Sequence, residues 1–184
     1  LAEPVQEGYG EVEVHLHHEN DTSDGFRTKI LRFLRRLRNH GMLGADRETG
    51  ERRFGFIHGD WALDNSLPGG AHCGVNDELR ILSQCGCYAD FTLPAAPSKA
   101  QTRRINSIYY AEDDPASPRS HEDGTEVSVN GRPSGDIMLI QGPLSLMWPG
   151  GRGWVLPRPE NGLLPGGAGL TTRRVDEWVR TRVC

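Results

Sequence analysis

The chain has 184 residues, of which 25% are charged and 36% are hydrophobic, a balance typical of one globular domain. No apolar run approaches the roughly 20 residues that a membrane-spanning helix needs. The formal net charge of -4 gives no general attraction to nucleic acid. We therefore expect one domain over residues 1–184, with neither a membrane nor a nucleic acid as partner.

The cysteine pattern and the chain ends bear on location and completeness. Cys73, Cys85, Cys87 and Cys184 form no CxxC pair, which argues against a zinc ribbon or a thioredoxin-type site. We interpret them as reduced thiols of a cytoplasmic protein. Because the chain starts at Leu1 and stops abruptly at its other end, we expect it to be truncated at both ends.

The first half of the chain alternates strands and helices. Residues 11–17 alternate apolar and polar side chains, the period of a strand, and residues 26–39 carry an apolar stripe of helical period. A short strand at 54–58, a helix at 77–85 and a strand at 87–93 follow. This order is the βαβ rhythm of a parallel sheet and predicts an α/β fold.

The second half is less regular. Residues 105–111 and 137–141 are strand candidates, and a hairpin is predicted near Asn130-Gly131, a dipeptide that favours tight turns. A last helix is predicted over 173–183, capped by Thr171 or Thr172.

The most distinctive feature for chemistry is the pair His15 and His17. Two residues apart on a strand, they project from the same face. They also stand at the strand's carboxyl end, where parallel α/β folds place their active sites. Two imidazoles side by side suit Zn²⁺ or a similar divalent metal, and Glu13 on the same face could orient a ligand. The alternative is a polar strand end with solvated histidines.

A second group follows the strand at 54–58. His58 closes that strand, and Asp60 offers carboxylate oxygens as ligand or acid–base group. We expect Trp61 to offer a flat surface for a sugar ring and Asn65 to make a further contact with the substrate. The alternative is a turn in which the polar side chains bond the local backbone. A second histidine at a second strand end favours the functional interpretation of both groups.

Several segments together resemble the polysaccharide deacetylase (NodB-homology) superfamily. Val-Glu-Val-His-Leu-His at 12–17 resembles its E-I-G-x-H-L-H strand, and residues 56–63 are similar to its F-R-A-G-R-W-x-L segment. Residues 78–91 resemble its L-x-x-L-x-x-x-G-Y-x-Y-D-S helix and strand. The order and gaps agree over about residues 8–95. The remainder resembles an uncharacterised branch, mainly at 105–110 and 138–144.

The resemblance implies a distorted (β/α) barrel, here a partial one, and metal-assisted hydrolysis of N-acetyl or O-acetyl groups on a carbohydrate. It implies His15 and His17 as the two histidine ligands of the metal. The chain also departs from the family. The aspartate pair expected before the first histidine is absent, and so is the late histidine that acts as general acid. Ile57 and Asp60 replace the two arginines of the F-R-A-G-R-W segment, and His58 takes the alanine position.

Three hypotheses follow. The first is a divalent-metal hydrolase of carbohydrate amide or ester bonds, with His15 and His17 on the metal and His58 and Asp60 as further ligands or acid–base groups. We expect the metal to be zinc, because two imidazoles favour it. The second is a carbohydrate-binding relative without catalysis. The third is a glycoside hydrolase of similar barrel type, which needs two carboxylates about 5–10 Å apart. In every case we expect a carbohydrate as partner, and we expect this 184-residue chain to hydrolyse acetylated sugars poorly by itself.

Overall fold

The computed structural model describes residues 2–46, 48–148, 156–163 and 171–182. It contains four α-helices: α1 (Ala2–Gln6), α2 (Ser23–Asn39), α3 (Glu78–Gln84) and α4 (Thr172–Thr181). Eight strands accompany them: β1 (Val14–Leu16), β2 (Phe54–His58), β3 (Cys87–Asp90), β4 (Ile108–Ala111), β5 (Gly124–Glu126), β6 (Ile137–Ile140), β7 (Ser145–Met147) and β8 (Arg158–Glu160).

Six of the strands form one mixed sheet in the order β1-β2-β3-β6-β4-β5. Strands β1, β2, β3 and β6 run parallel to one another, whereas β4 runs antiparallel to both β6 and β5. The α/β class and the parallel arrangement predicted from the first half are confirmed. The sheet has β1 and β5 at its two edges, and the described residues show no closed barrel.

The predicted elements match the structure to within a few residues. Strand β2 has the predicted bounds, and β1 is shorter than the alternating run. Helix α2 begins three residues earlier than expected, because Thr22 caps it by accepting a hydrogen bond from Gly25 N–H. Helix α4 agrees over its described part, and the end of the predicted helix, with Cys184, lies outside the described residues. The thiols of Cys73, Cys85 and Cys87 are free.

The hairpin predicted near Asn130 is wrong in one respect. The turn exists, since Asn130 has a φ of 62° and Gly131 N–H donates to Ser128 O. The strands on either side of it do not pair with each other, because β5 and β6 flank β4 on opposite sides. Turn chemistry fixes the local bend, but the packing of the sheet decides which strands become neighbours.

The core lies between the sheet and helices α2 and α3. Phe26 of α2 packs edge-on against Phe56 of β2 with ring centroids 6.0 Å apart, and both side chains are fully buried. Val14, paired with Phe56 across β1 and β2, points to the same side. This face of the sheet is therefore the helix-covered one, and side chains of the opposite phase point away from it. None of the described helices is long and apolar enough to cross a membrane.

Candidate functional site

His15 and His17 lie side by side at the carboxyl end of β1. Their Nε2 atoms are 2.9 Å apart, their ring centroids are 4.9 Å apart, and both side chains are exposed. The period-2 prediction that they share one face is confirmed by this geometry. Two nitrogens at this distance can hold a proton between them or converge on one cation.

Asp60 approaches the pair from the loop after β2. Its Oδ2 lies 3.0 Å from His17 Nδ1 and 3.7 Å from His72 Nδ1. A carboxylate only accepts, so the proton of a neutral His17 sits on Nδ1 and the lone pair of Nε2 points toward His15. A carboxylate behind a histidine fixes the tautomer in this way at many metal sites. We call His15, His17, Asp60 and His72 the open centre.

The backbone after β2 is shaped around His17. A Cβ on Gly59 would lie 2.3 Å from His17 Cγ, so the ring rests directly on glycine backbone. Asp60, Trp61, Asp64 and Asn65 then have φ values between 52° and 57°. Asp and Asn tolerate this region, but a tryptophan there is strained, and such strain concentrates at functional sites.

Glu13, expected to orient a metal ligand, is engaged elsewhere. Its Oε1 accepts a hydrogen bond from Tyr88 Oη at 3.3 Å, and burial raises its pKa above the ordinary value. A Cβ on Gly55 would overlap its Oε2, so glycine leaves room for the carboxylate beneath the strand. Glu13 thus anchors the start of β1 to β3 and supports the open centre only indirectly.

His58 does not join the open centre. Its Cα pairs with Leu16 in the β1–β2 register, so its side chain points to the helix-covered face, away from His15 and His17. It is 1% exposed, its N–H donates to Thr92 Oγ1 at 2.7 Å, and its Nδ1 lies 2.5 Å from Gly59 O. The expectation that His58 and Asp60 act together beside the histidine pair is corrected: Asp60 is there, and His58 is on the other side of the sheet.

On that helix-covered face His58 meets three other potential ligands. His18, His58, Cys73 and Glu78 are all buried, and one ligand atom from each lies within 4.8 Å of the others. Glu78 Oε1 is 3.1 Å from His18 Nε2 and 3.5 Å from His58 Nε2, and Cys73 Sγ is 3.6 Å from Glu78 Oε2. We call these four residues the buried centre.

Burial and charge set the protonation states of the buried centre. Burial lowers the pKa of His58 below its ordinary value and raises the pKa of the Cys73 thiol. Burial by itself would raise the pKa of Glu78, but His58 and a hydrogen bond from His18 outweigh it and lower that pKa below its ordinary value. The centre therefore contains an ionised carboxylate among polar groups that water does not reach.

A further polar network extends from the buried centre. Asp64 N–H donates to Glu78 Oε2 at 2.6 Å, and Asp64 Oδ2 in turn accepts from Ser120 Oγ at 2.9 Å and from His121 N–H at 2.8 Å. The Ser120 hydroxyl donates to carboxylates rather than to His121, so Ser120 and His121 do not form a nucleophile–base pair. Burial raises the pKa of Asp113, which also accepts from Ser120, to about 6.

The two expected substrate contacts have different surroundings. Trp61 is half-buried and lines a groove of about 600 Å³ together with Arg158, Asn161 and the segment 95–98. Asn65 donates from Nδ2 to Asn76 Oδ1 at 2.7 Å and accepts from Gly74 N–H at 3.0 Å. Trp61 is thus available to a ligand, whereas the amide of Asn65 holds the loop 65–76 together.

Sequence reasoning missed Cys73 and Glu78 as members of a site. Neither lies in a recognisable metal motif, and they come from a loop and a helix start that the periodicity does not connect to β1 or β2. The phase of His18, opposite to His17 on the same strand, was the available signal that a second centre lies on the other face.

Comparison with known proteins yields no relative: no protein-family model matches the chain, and no curated protein or solved structure matches it. The resemblance to the carbohydrate deacetylases therefore stays a prediction. What can be said of function comes from the geometry of the open and buried centres.

Proposed function

We propose that this chain carries the metal centre of a divalent-metal hydrolase that removes acetyl groups from a carbohydrate. The observation that carries the proposal is the open centre. The exposed imidazoles of His15 and His17 have their Nε2 atoms 2.9 Å apart, and the Asp60 carboxylate lies 3.0 Å from Nδ1 of His17. In this proposal β1, β2, β3 and β6 belong to a distorted, partial (β/α) barrel of the deacetylase type.

The donor set of the open centre fits Zn²⁺ or a similar cation. His15 and His17 would hold the cation through Nε2, and Asp60 would keep the His17 tautomer that makes this possible. A bound cation would polarise an acetyl carbonyl and make water a stronger nucleophile. Water then adds to the acyl carbon, the C–N or C–O bond breaks, the leaving nitrogen or oxygen takes a proton, and acetate departs.

In this proposal Asp60, His58 and His72 have roles that differ from those expected from the sequence. Asp60 is a positioning residue, because its nearest described partner is His17 Nδ1. His58 is not proposed as an acid or base at the open centre, since its side chain lies on the opposite face. His72, 3.7 Å from Asp60 and about half exposed, is the remaining imidazole that could transfer a proton there.

The groove beside Trp61 supports a carbohydrate as substrate. Its volume of about 600 Å³ falls within the usual range for small-molecule sites. Trp61 supplies an aromatic surface, and Arg158 and Asn161 supply hydrogen-bond donors for hydroxyl groups. Both the groove and the open centre contain residues of the loop that follows β2.

One observation favours a second candidate, a carbohydrate-binding relative without catalysis. Two expected acid–base groups are not free to act as a general base at the open centre. His58 lies on the other face of the sheet, and the Asp60 carboxylate is held by His17. Under this alternative the metal and the sugar bind but no acetate is released.

The test uses the whole chain with Zn²⁺ or Co²⁺ and an acetylated chitooligosaccharide. We expect the His15→Ala/His17→Ala variant to lose metal affinity at the open centre and to lose acetate release, while His40→Ala, a matched change of an exposed histidine at the C-cap of α2, behaves as wild type. Sugar binding without acetate release would support the second candidate. Unchanged metal affinity in the double variant would refute the open centre as a metal site.

A further inference from the structure

The geometry points to a second metal site, structural rather than catalytic, in which His18, His58, Cys73 and Glu78 bind one Zn²⁺ or similar borderline cation. This inference does not depend on the proposed function, because it concerns the opposite face of the sheet and a different set of residues. It rests on the convergence of the four ligand atoms, on the direction of their other polar atoms, and on the balance of charge.

The four ligand atoms are near the spacing that tetrahedral zinc requires. They lie within 4.8 Å of one another, and the closest pair with Glu78 Oε1 is 3.1 Å. Zinc bonds of about 2.0–2.3 Å in a tetrahedron place ligand atoms about 3.3–3.8 Å apart. A small contraction of the longest separations therefore brings all four atoms onto one cation.

The remaining polar atoms of the histidines are turned outward. His58 Nδ1 lies 2.5 Å from Gly59 O, so the proton sits on Nδ1 and the lone pair of Nε2 faces Glu78. That Nε2 is buried and has no hydrogen-bond partner among the described residues. His18 Nδ1 is buried without a hydrogen-bond partner among the described residues and lies 3.3 Å from Asp21 Oδ2, so it faces a carboxylate while Nε2 faces Glu78.

The other two ligands are oriented in the same way. Glu78 Oε2 accepts Asp64 N–H at 2.6 Å, which leaves Oε1 for the histidine side. Val75 N–H approaches Cys73 Sγ at 3.4 Å, a contact that stabilises a thiolate. His58, Cys73 and Glu78 thus each have a protein partner on one side and present another atom or direction to the common centre, and His18 presents Nε2 to it.

Charge explains why a cation belongs there. When a divalent cation binds, it displaces the proton of the Cys73 thiol, and the resulting thiolate and the Glu78 carboxylate carry the two negative charges that cancel it, while two neutral imidazoles add none. A neutral assembly avoids the cost of isolated buried charge. Two nitrogens, one sulfur and one oxygen suit zinc or another borderline metal, and not Mg²⁺ or Ca²⁺, which prefer oxygen ligands throughout.

The burial of the four ligands favours a structural role for the cation. The side chains of His18, His58 and Glu78 have no solvent exposure, so no ligand position is open to a substrate. The ligands come from the ends of β1 and β2, the loop before α3 and the first residue of α3. A cation there would fasten the long loop 59–77 to the sheet, and with it Asp60 and Trp61.

Cobalt separates the two centres, because only the buried one contains a sulfur ligand. We expect the whole chain loaded with Co²⁺ to show a thiolate-to-metal charge-transfer band. Cys73→Ser should remove that band, while Cys87→Ser, a matched change of a buried cysteine outside the centre, and His15→Ala/His17→Ala should keep it. We also expect Zn²⁺ affinity of the buried centre to fall by about 100-fold or more in Cys73→Ser, since one of four ligands is lost.

A second measurement needs no variant and so does not depend on whether Cys73→Ser folds. X-ray absorption of the wild-type chain with zinc bound at both centres should show a sulfur neighbour at about 2.3 Å. A spectrum with nitrogen and oxygen neighbours alone, or a charge-transfer band that persists in folded Cys73→Ser, would overturn the proposal. In either case the four residues would be a hydrogen-bonded network around Glu78.

Discussion

The open and buried centres are built from the same two strand ends, yet their surroundings differ completely. His17 and His18 are consecutive residues, but His17 points to the exposed side with Asp60 while His18 stacks on Phe26 of α2, ring centroids 4.6 Å apart. In the open centre the side chains of His17 and Asp60 are 60% and 47% exposed. In the buried centre those of His18 and Glu78 are fully buried.

The comparison shows how one alternating strand can serve two purposes. Water screens the charges of the open centre and leaves ligand positions free, which is what a catalytic metal needs. The side chains of the buried centre are shielded from bulk solvent, which makes every unpaired charge there costly and every completed contact valuable. Replacing a carboxylate by its amide should therefore change the free energy of unfolding strongly at the buried centre and weakly at the open centre.

The largest effect is expected for Glu78→Gln. Removing the charge weakens the hydrogen bonds that Glu78 accepts from His18 and from Asp64 N–H in a fully buried site, and hydrogen bonds to charged groups contribute about 1.5–3 kcal/mol each. Urea unfolding of the variant measures the loss, with Glu19→Gln, an exposed change on the same loop as His18, as control. Equal stability of the two variants would mean that Glu78 is not the centre of the network.

A pH-dependent effect is expected for Asp90 on β3, whose side chain lies on the helix-covered face of the sheet. Burial raises its pKa from the ordinary 3.8 to about 7, so the folded protein holds this proton over a range in which the unfolded chain has lost it. The contribution of Asp90 to stability therefore falls as pH rises from about 4 to 7, by up to about 4 kcal/mol at about 1.4 kcal/mol per pKa unit.

Asp90→Asn removes this dependence, because an amide does not ionise. We expect the variant to gain stability relative to wild type as pH increases from 5 to 8, measured by urea unfolding at each pH. Asp123→Asn, a change of a side chain that is 80% exposed, should leave the pH profile unchanged. A constant difference between wild type and Asp90→Asn across this range would contradict the raised pKa.

Gly59→Ala should disturb the open centre and spare the buried one. The added Cβ would lie 2.3 Å from His17 Cγ, so the ring must move and the Nε2 pair separates. Overpacking of this kind typically costs about 1–3 kcal/mol. Calorimetric titration with Zn²⁺ should show weaker binding at the open centre, whereas Gly44→Ala, where a Cβ meets nothing within 4 Å, should bind as wild type. Retained affinity in Gly59→Ala would show that His17 does not need its present position.

The smallest effect on stability is expected for Asp60→Asn. Asparagine also tolerates the φ of 56° at this position, so the backbone stays as it is. An exposed ion pair contributes about 0–1 kcal/mol, and unfolding should change by no more than that. Metal affinity at the open centre should nevertheless fall about 10–100-fold, because His17 loses the carboxylate that fixes its tautomer. A loss of several kcal/mol in stability would erase the contrast between the two centres.

Local patterns predicted most of the first half of the fold. The bounds of β2, the helices α2 and α3 and the parallel order of β1, β2 and β3 follow from periodicity and capping, which are properties of short segments. The pairing of β5 and β6 with β4 does not, because it depends on contacts between distant parts of the chain.

The two centres likewise depend partly on local sequence and partly on tertiary structure. The sequence by itself determined that His15 and His17 share a face, since alternation is a property of a single strand. Only the tertiary structure decided that His58 pairs with Leu16 and so joins His18, and that a loop and a helix start bring Cys73 and Glu78 to them. Register and helix packing are set by the burial of the whole core, and no local pattern contains that information.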